Sequence, residues 1–270
     1  MATNDAKRIR QRLVSLAEAG VRDLPRPLPV GAASGSIEGL GMDRPHASAQ
    51  GGGDDSRPGD GGQTRPDLDV RRSVSVMEAA DRTKQLDLLR SEVAGCHRCE
   101  HLANSRSNTV FGSGDPSARF CFFGEAPGAD EDASGEPFVV RAGQLLTKII
   151  EACGLTRQEV FILNVLKCRP PGNRQPEPIE VANCRGYFER QFEVIQPEFI
   201  VCLGTTAAQS LLESQSTIGK LRGTWHRYRT ANVICTYHPS YLLRNPAAKR
   251  DVWNDMKLLL ERAGLPVKDA

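Results

Sequence analysis

The sequence lacks a long apolar run, an obvious secretion signal and a large net charge. No stretch approaches the roughly 20 apolar residues that a helix needs to cross a bilayer. Residues 1–20 lack the continuous apolar core of a signal peptide. The formal net charge is +2 over 270 residues, so any affinity for nucleic acid must come from a local basic surface. We therefore expect no membrane partner, and we expect a monomer.

The N-terminal part has little with which to build a core. In residues 1–24, apolar side chains recur at helical spacing, which predicts an amphipathic helix. That helix can dock a protein partner, or it can be a solvated helix with a weak apolar stripe. Residues 25–76 are rich in Gly, Pro, Ser and Asp and nearly free of aliphatic residues, which predicts a disordered linker. Residues 77–270 are expected to form the folded domain.

Eight cysteines without a secretion signal favour a reducing cytoplasm, where thiols serve metals more often than disulfides. Cys96 and Cys99 have C-x2-C spacing, and Cys168 and Cys184 flank a proline-rich segment of fifteen residues. Four thiolates suit a cubane iron–sulfur cluster or a structural zinc equally well. A redox or disulfide role for the C-x2-C pair is the alternative. The remaining cysteines lie in apolar runs and are expected to be small buried side chains.

From residue 118 onward, strand and helix signals alternate along the chain. Short apolar runs predict strands at 119–124, 160–166, 199–204 and 233–237. Amphipathic segments between and after them predict helices at 142–154, 176–196, 205–213 and 247–264. This pattern predicts an α/β fold, a three-layer α/β/α sandwich around a central four-stranded parallel sheet.

Three polar segments follow strands at what would be one edge of this sheet, where ligands bind in such folds. They are GEAPGADED from Gly124, Asn164 within FILNVL, and HPSYLLRN from His238. An amide inside an apolar run is costly to bury without partners and offers one donor and one acceptor face to a base. Core packing, turn formation and ordinary hydrogen bonding are the alternative roles for these residues and for Phe138.

Five motifs in order over about residues 90–260 resemble the iron–sulfur-containing family 4 uracil-DNA glycosylases. They are CHRCEHLANSRSNTVFGSGD, FFGEAPGADEDASGEPFVVRAGQLL, ILNVLKCRPPGNRQPEP, LRGTWHRY and TYHPSYLLRNPAAK. The resemblance implies that residues 77–270 form a glycosylase-like catalytic domain that hydrolyses the N-glycosidic bond of deoxyuridine in DNA during base excision repair. It also implies a [4Fe–4S] cluster on Cys96, Cys99, Cys168 and Cys184, with a structural role.

The resemblance further implies roles for individual residues. His238 would donate a hydrogen bond to uracil O2, Asn164 would read the N3–H and O4 edge, and Phe138 would stack on the flipped base. Gly124, Glu125 and Ala126 would line the pocket, partly through their backbone amides.

Two departures from related patterns affect these expectations. The better-known glycosylases place an Asp and a Tyr where this chain has Ala126 and Gly128, so Glu125 and Asn173 are the candidates for orienting the water. Within family 4, glycine is usual where this chain has Val140, and valine would be strained if a positive φ were required there.

Contacts to DNA are expected from the HPSYLLRN segment. Leu242 or Leu243 would fill the gap left by the extruded base, and Arg244 would touch phosphate. Arg174 and neighbouring basic residues (Lys167, Arg169, Arg222 and Lys249) would form a local basic patch. Uracil-containing DNA, single- or double-stranded, is the expected partner.

Two other functions remain possible at this point. One is a binder that captures uracil covalently; the sequence disfavours it, because such a binder needs a histidine soon after the second strand and the chain has none between His101 and His226. The other is a non-catalytic metal-cluster module that binds uracil-containing DNA.

Overall fold

The computed structural model describes residues 78–267, so the predicted helix at 1–24 and the predicted linker at 25–76 lie outside the described residues. Within 78–267, no helix is long and apolar enough to cross a membrane. Six strands form one sheet: β1 (Ser113–Gly114), β2 (Phe120–Gly124), β3 (Val160–Asn164), β4 (Phe199–Leu203), β5 (Trp225–Tyr228) and β6 (Ala231–Thr236). Their order across the sheet is β1-β3-β2-β4-β6-β5.

The four central strands, β3, β2, β4 and β6, pair in parallel, which confirms the predicted α/β core. β2, β3 and β4 are buried on both faces, as their continuous apolar sequences require. The expected count of four strands is corrected to six, because β1 and β5 add antiparallel edges.

Helices cover both faces of the sheet. They are α1 (Ala79–Ala94), α2 (Glu100–Ser105), α3 (Ala129–Ser134), α4 (Arg141–Ala152), α5 (Pro178–Ile195), α6 (Thr205–Leu212), α7 (Ile218–Leu221), α8 (Pro239–Arg244) and α9 (Lys249–Ala263), with short 3-10 turns at Pro171–Asn173 and Pro246–Ala248.

Alternate residues of β2 belong to two separate hydrophobic clusters. Cys121 and Phe123 pack with residues of α1, α5 and α6. Phe120 and Phe122 pack with residues of α4, α8 and α9. This alternation is what a strand buried between two helical layers requires, and it confirms the three-layer sandwich.

The remaining cysteines (Cys121, Cys153, Cys202 and Cys235) are buried in these two clusters, as predicted. Burial raises the pKa of the Cys153 thiol to about 11, so this side chain stays a neutral apolar filler.

Parallel strands end at the same edge of a sheet, which we call the carboxyl edge. Gly124 ends β2 and pairs in register with Asn164, which ends β3. β6 ends at Thr236, two residues before His238. The fold therefore delivers the three polar segments to one edge.

Candidate active site and cysteine cluster

Asn164 and Phe138 meet at Gly124. A Cβ built on Gly124 would lie 2.6 Å from Phe138 Cζ and nearer still to Asn164 Oδ1. Glycine at the end of β2 therefore leaves the space that the carboxamide and the ring occupy. Asn164 is only 2% exposed, and its Oδ1 is a buried acceptor without a hydrogen-bond partner. A buried polar atom left unpaired is costly, which points to a ligand that supplies the missing donor.

Phe138 has a left-handed backbone with φ 55°, which is strained for an aromatic residue. Its ring centroid lies 5.6 Å from that of His238, with 32° between the ring planes. The Phe138 ring therefore lies close to both the Asn164 carboxamide and the His238 imidazole. The predicted strain at Val140 is not observed: Val140 is extended, with φ −90° and ψ −156°, and precedes α4.

His238 is the N-cap of α8, and the N–H of Ser240 donates to its Nδ1 at 3.2 Å. Because Nδ1 accepts this bond, the neutral ring carries its proton on Nε2. Burial lowers the pKa of His238 to about 4, with a further contribution from the positive charge of Arg244. The imidazole is thus neutral at physiological pH, and Nε2–H is its donor.

The positions of the other predicted pocket residues differ. The hydroxyl of Thr206, in the first turn of α6, donates to the carboxylate of Glu125, which lies directly after β2. Ala126 is partly buried against the core. Asn173 has a positive φ of 55°, is exposed, and its Oδ1 accepts from Arg169 Nε at 2.7 Å. No described contact joins Asn173 to Phe138, Asn164 or His238.

Of the two leucines predicted as alternative DNA contacts, Leu242 is not available at the surface. Its side chain is 1% exposed in the core beneath α8, whereas Leu243 is 38% exposed. Arg244, the last residue of α8, is exposed and close enough to His238 to affect its pKa. Leu243 and Arg244 are therefore the available contacts on this helix.

The predicted basic patch is largely engaged within the protein. Arg174 forms an ion pair with the fully buried carboxylate of Glu180 at 2.6 Å, which lowers the pKa of Glu180 to about 2. Lys167 is 1% exposed, and its Nζ donates to the carbonyl oxygen of Asn164 at 2.8 Å. Arg222 pairs with the buried Asp255 at 3.0 Å. Arg174 therefore offers only part of its charge to DNA, and Lys167 offers none.

The four predicted metal ligands come from three chain segments, and the charges of Cys96 and Cys99 affect Cys168 while those of Cys168 and Cys99 affect Cys184. Cys96 and Cys99 lie between α1 and α2, Cys168 follows β3, and Cys184 lies in α5. None forms a disulfide. Burial raises the pKa of Cys168, a hydrogen bond and the charge of Arg106 oppose that rise, and the like charges of Cys96 and Cys99 add to it.

Each of the four sulfurs has a polar neighbour. Arg106 Nη1 donates to Cys168 Sγ at 3.0 Å, and Asn183 Nδ2 donates to Cys99 Sγ at 3.3 Å. The Tyr187 hydroxyl lies near Cys96, and the backbone N–H of Lys167 lies near Cys184.

Hydrogen-bond donors around sulfur stabilise thiolates rather than neutral thiols. Within residues 78–267, no group of three or more His, Cys, Asp or Glu side chains is arranged to hold a metal ion. The donor set of four unpaired cysteines, each with a polar partner, nevertheless fits a group bound through four thiolates.

The chain matches the model of the uracil DNA glycosylase superfamily over residues 111–257. It is 41% identical over 189 residues to the type-4 uracil-DNA glycosylase of Archaeoglobus fulgidus, covering 67% of this chain and 94% of that protein. The chain belongs to the type-4 uracil-DNA glycosylases. The Thermotoga maritima type-4 enzyme is 43% identical over 61% of this chain and 86% of its own length. The type-5 enzyme of Thermus thermophilus is more distant, at 29% identity over 64% of this chain and 88% of its own length.

Sequence reasoning missed several residues that support the glycosylase site. Thr206 holds Glu125, and Arg106 and Asn183 contact cysteine sulfurs. Glu131 and Arg157 bind backbone atoms near Phe138. Only Glu131 has a sequence signal, because a Glu three residues after the N-cap Gly128 matches the Glu half of a capping box, in which its carboxylate accepts from the N-cap N–H.

Proposed function

We propose that this protein hydrolyses the N-glycosidic bond of deoxyuridine in DNA, which releases uracil and leaves an abasic site. One observation carries the proposal: the buried, unpaired Oδ1 of Asn164 lies beside the ring of Phe138, whose other neighbour is the neutral His238. The names of the type-4 relatives support the same activity.

Asn164 would read the base. Its Oδ1 would accept the N3–H of uracil, and its amino group would donate to O4. Cytosine presents an acceptor at N3, so it would face Oδ1 with another acceptor and leave both atoms unsatisfied. An unsatisfied buried polar group costs about 1–3 kcal/mol, which is enough to favour uracil.

Phe138 would form one wall of the pocket by stacking on the extruded base. Base–aromatic stacking contributes about 1–3 kcal/mol. Gly124, with Glu125 and Ala126 after it, would form the adjoining wall at the end of β2.

His238 would stabilise the leaving group. When the C1′–N1 bond breaks, its electron pair moves to uracil, and negative charge develops on O2. The neutral Nε2–H of His238 would donate to that oxygen, and a donor placed where charge develops lowers the barrier. Water then adds to C1′ and loses a proton. Transfer of that proton to N1 of the departed uracil leaves the free base neutral. Glu125, held by Thr206, is our candidate for orienting this water.

The base can reach this pocket only if it leaves the helix stack. We propose that Leu243 fills the gap left by the base and that Arg244 contacts a phosphate, since both lie exposed on α8 directly after His238. Substrates are single- or double-stranded DNA that contains uracil. Binding should weaken as the salt concentration rises.

Cys96, Cys99, Cys168 and Cys184 would hold a [4Fe–4S] cluster. When bound, the cluster would supply a structural link between the three chain segments that carry these cysteines. Cys168 lies only four residues after Asn164, so this link would be close to the base-reading residue in the chain. Hydrogen bonds from Arg106 and Asn183 would stabilise the thiolates. Iron and sulfide analysis of anaerobically purified protein tests this assignment, and stoichiometric zinc in colourless protein would contradict it.

The test of the activity is release of free uracil from an oligonucleotide with one deoxyuridine, with a deoxycytidine oligonucleotide as the control. We expect release from the wild-type protein and losses of at least about 100-fold for Asn164→Ala and His238→Ala. Asn254→Ala, an exposed amide in α9, is a control for the general effect of losing an amide. Full activity of Asn164→Ala would remove our account of base reading. A stable protein–DNA adduct without free uracil would favour a covalent binder, and binding without either would favour a non-catalytic module.

A further inference from the structure

The strained backbone of Phe138 needs an explanation in the surrounding structure. A left-handed conformation costs a non-glycine residue roughly 1–3 kcal/mol and persists only where neighbouring contacts impose it. The contacts that impose it can be identified from the two peptide groups that flank Phe138.

Glu131 binds the peptide that follows Phe138. Its Oε1 accepts from the N–H of Val139 at 3.0 Å, and its Oε2 accepts from the N–H of Gly128 at 3.1 Å. Glu131 is 8% exposed, so both bonds are shielded from water. One carboxylate thus joins the segment after β2 to the segment that carries the aromatic ring.

Arg157 binds the peptide that precedes Phe138. Its Nη2 donates to the carbonyl oxygen of Pro137 at 2.9 Å, and its Nη1 donates to Thr147 Oγ1 in α4 at 3.3 Å. Burial lowers the pKa of Arg157 while the charge of Glu136 opposes that change. Arg157 therefore binds the peptide group before Phe138 in the chain, whereas Glu131 binds the peptide group after it.

Gly143 packs directly on the Phe138 backbone. A Cβ built on Gly143, in the first turn of α4, would overlap the carbonyl oxygen of Phe138. The start of α4 therefore packs directly on the Phe138 backbone.

We propose that Glu131 and Arg157 are positioning residues that hold the flanking peptides of Phe138 so that its ring forms the wall against which uracil stacks. This inference rests on the proposed function. Neither side chain is described in contact with Asn164 or His238, so their effect would pass through Phe138. The alternative is that Glu131 and Arg157 contribute only to the stability of the fold. Under the positioning role, their effect on uracil binding requires the Phe138 ring, whereas under the stability role it does not.

The experiment is a double-mutant cycle read by the inhibition constant of free uracil, with kcat and KM on the uracil oligonucleotide measured in parallel. The variants are Glu131→Gln, Arg157→Met and Phe138→Ala, each alone, and Phe138→Ala combined with each of the other two. We expect Phe138→Ala to weaken uracil inhibition by about 5- to 100-fold, the range for loss of base stacking. Glu131→Gln and Arg157→Met should each weaken it by about three- to tenfold, as expected for the loss of one buried hydrogen bond. In the Phe138→Ala background both effects should fall below about twofold.

The matched controls are Glu151→Gln and Lys148→Met. They likewise remove one negative and one positive charge, but at exposed positions of α4, and should leave the inhibition constant of uracil unchanged. Equal effects with and without the Phe138 ring, or no effect on uracil inhibition, would overturn the proposal. If Arg157→Met does not fold, the cycle is run with Arg157→Lys, and if Glu131→Gln does not fold, it is run with Glu131→Asp. Each keeps the charge and shortens the reach to the flanking peptide. An inactive wild-type protein would refute the proposed function, whereas an active wild type with additive cycles refutes only this inference.

Discussion

Replacing Gly124 by alanine tests whether the pocket depends on the space at the end of β2. The added Cβ would lie 2.6 Å from Phe138 Cζ and 2.8 Å from Cε2, whereas ordinary contacts begin at 3.4 Å. The ring must therefore move by roughly 1 Å, and the carboxamide of Asn164 must move as well. Loss of stacking and of one reading hydrogen bond together amounts to about 2–4 kcal/mol. We expect kcat/KM for uracil release to fall by about 30- to 1000-fold.

The matched control is Gly186→Ala, because a Cβ at this position in α5 meets nothing within 4 Å. Alanine should stabilise the helix by about 0.5–1 kcal/mol and leave kcat/KM unchanged. Kinetics of both variants should be measured well below their melting temperatures, so that unfolding does not contribute. A Gly124→Ala protein with wild-type kcat/KM would refute the geometry on which the proposed function depends.

Three further predictions follow from ionised and polar groups. His238 has a pKa of about 4 in the folded protein, below its ordinary value of 6.5, so the unfolded chain binds more protons between these pH values. The free energy of unfolding should therefore fall by about 3 kcal/mol as the pH drops from 6.5 to 4. Urea unfolding measures this change, which should be smaller for His238→Gln. A loss of kcat/KM on acidification with a midpoint near pH 6.5 would contradict a neutral His238 donor. Arg106→Met removes the donor to Cys168 Sγ, so the visible absorbance of the proposed cluster should bleach faster in air than in wild type or in the exposed control Lys84→Met. Asp255→Ala leaves Arg222 and Thr236 without their buried partner and should lower the free energy of unfolding by about 3–5 kcal/mol. Asp251→Ala, which removes a half-exposed carboxylate 4.0 Å from the same Arg222, should have a much smaller effect.

The central strands were predictable because their burial on both faces leaves continuous apolar sequences. The edge strands were not, because β1 has only two residues and β5 reads WHRY, a half-exposed sequence without an apolar run. Their pairing is determined by the neighbouring strand rather than by their own composition.

Asn164 and His238 could be singled out as candidate site residues because polar groups stand out beside apolar strands. The choice between Leu242 and Leu243 depended on α8, a short helix that begins at Pro239 and that the sequence did not predict. Without the helix, neither leucine could be assigned to the core. The burial of Lys167 was also missed, because its partner is a backbone carbonyl, which has no side-chain signature.

The unpaired oxygen of Asn164 has a consequence for thermal adaptation. A leucine of similar size at this position would remove a buried polar group and should make the protein harder to melt while abolishing recognition of the base. Selection for heat resistance alone would therefore favour losing the amide. The presence of the amide agrees with the base-reading role that we propose for it at the end of β3, a role that folding does not require.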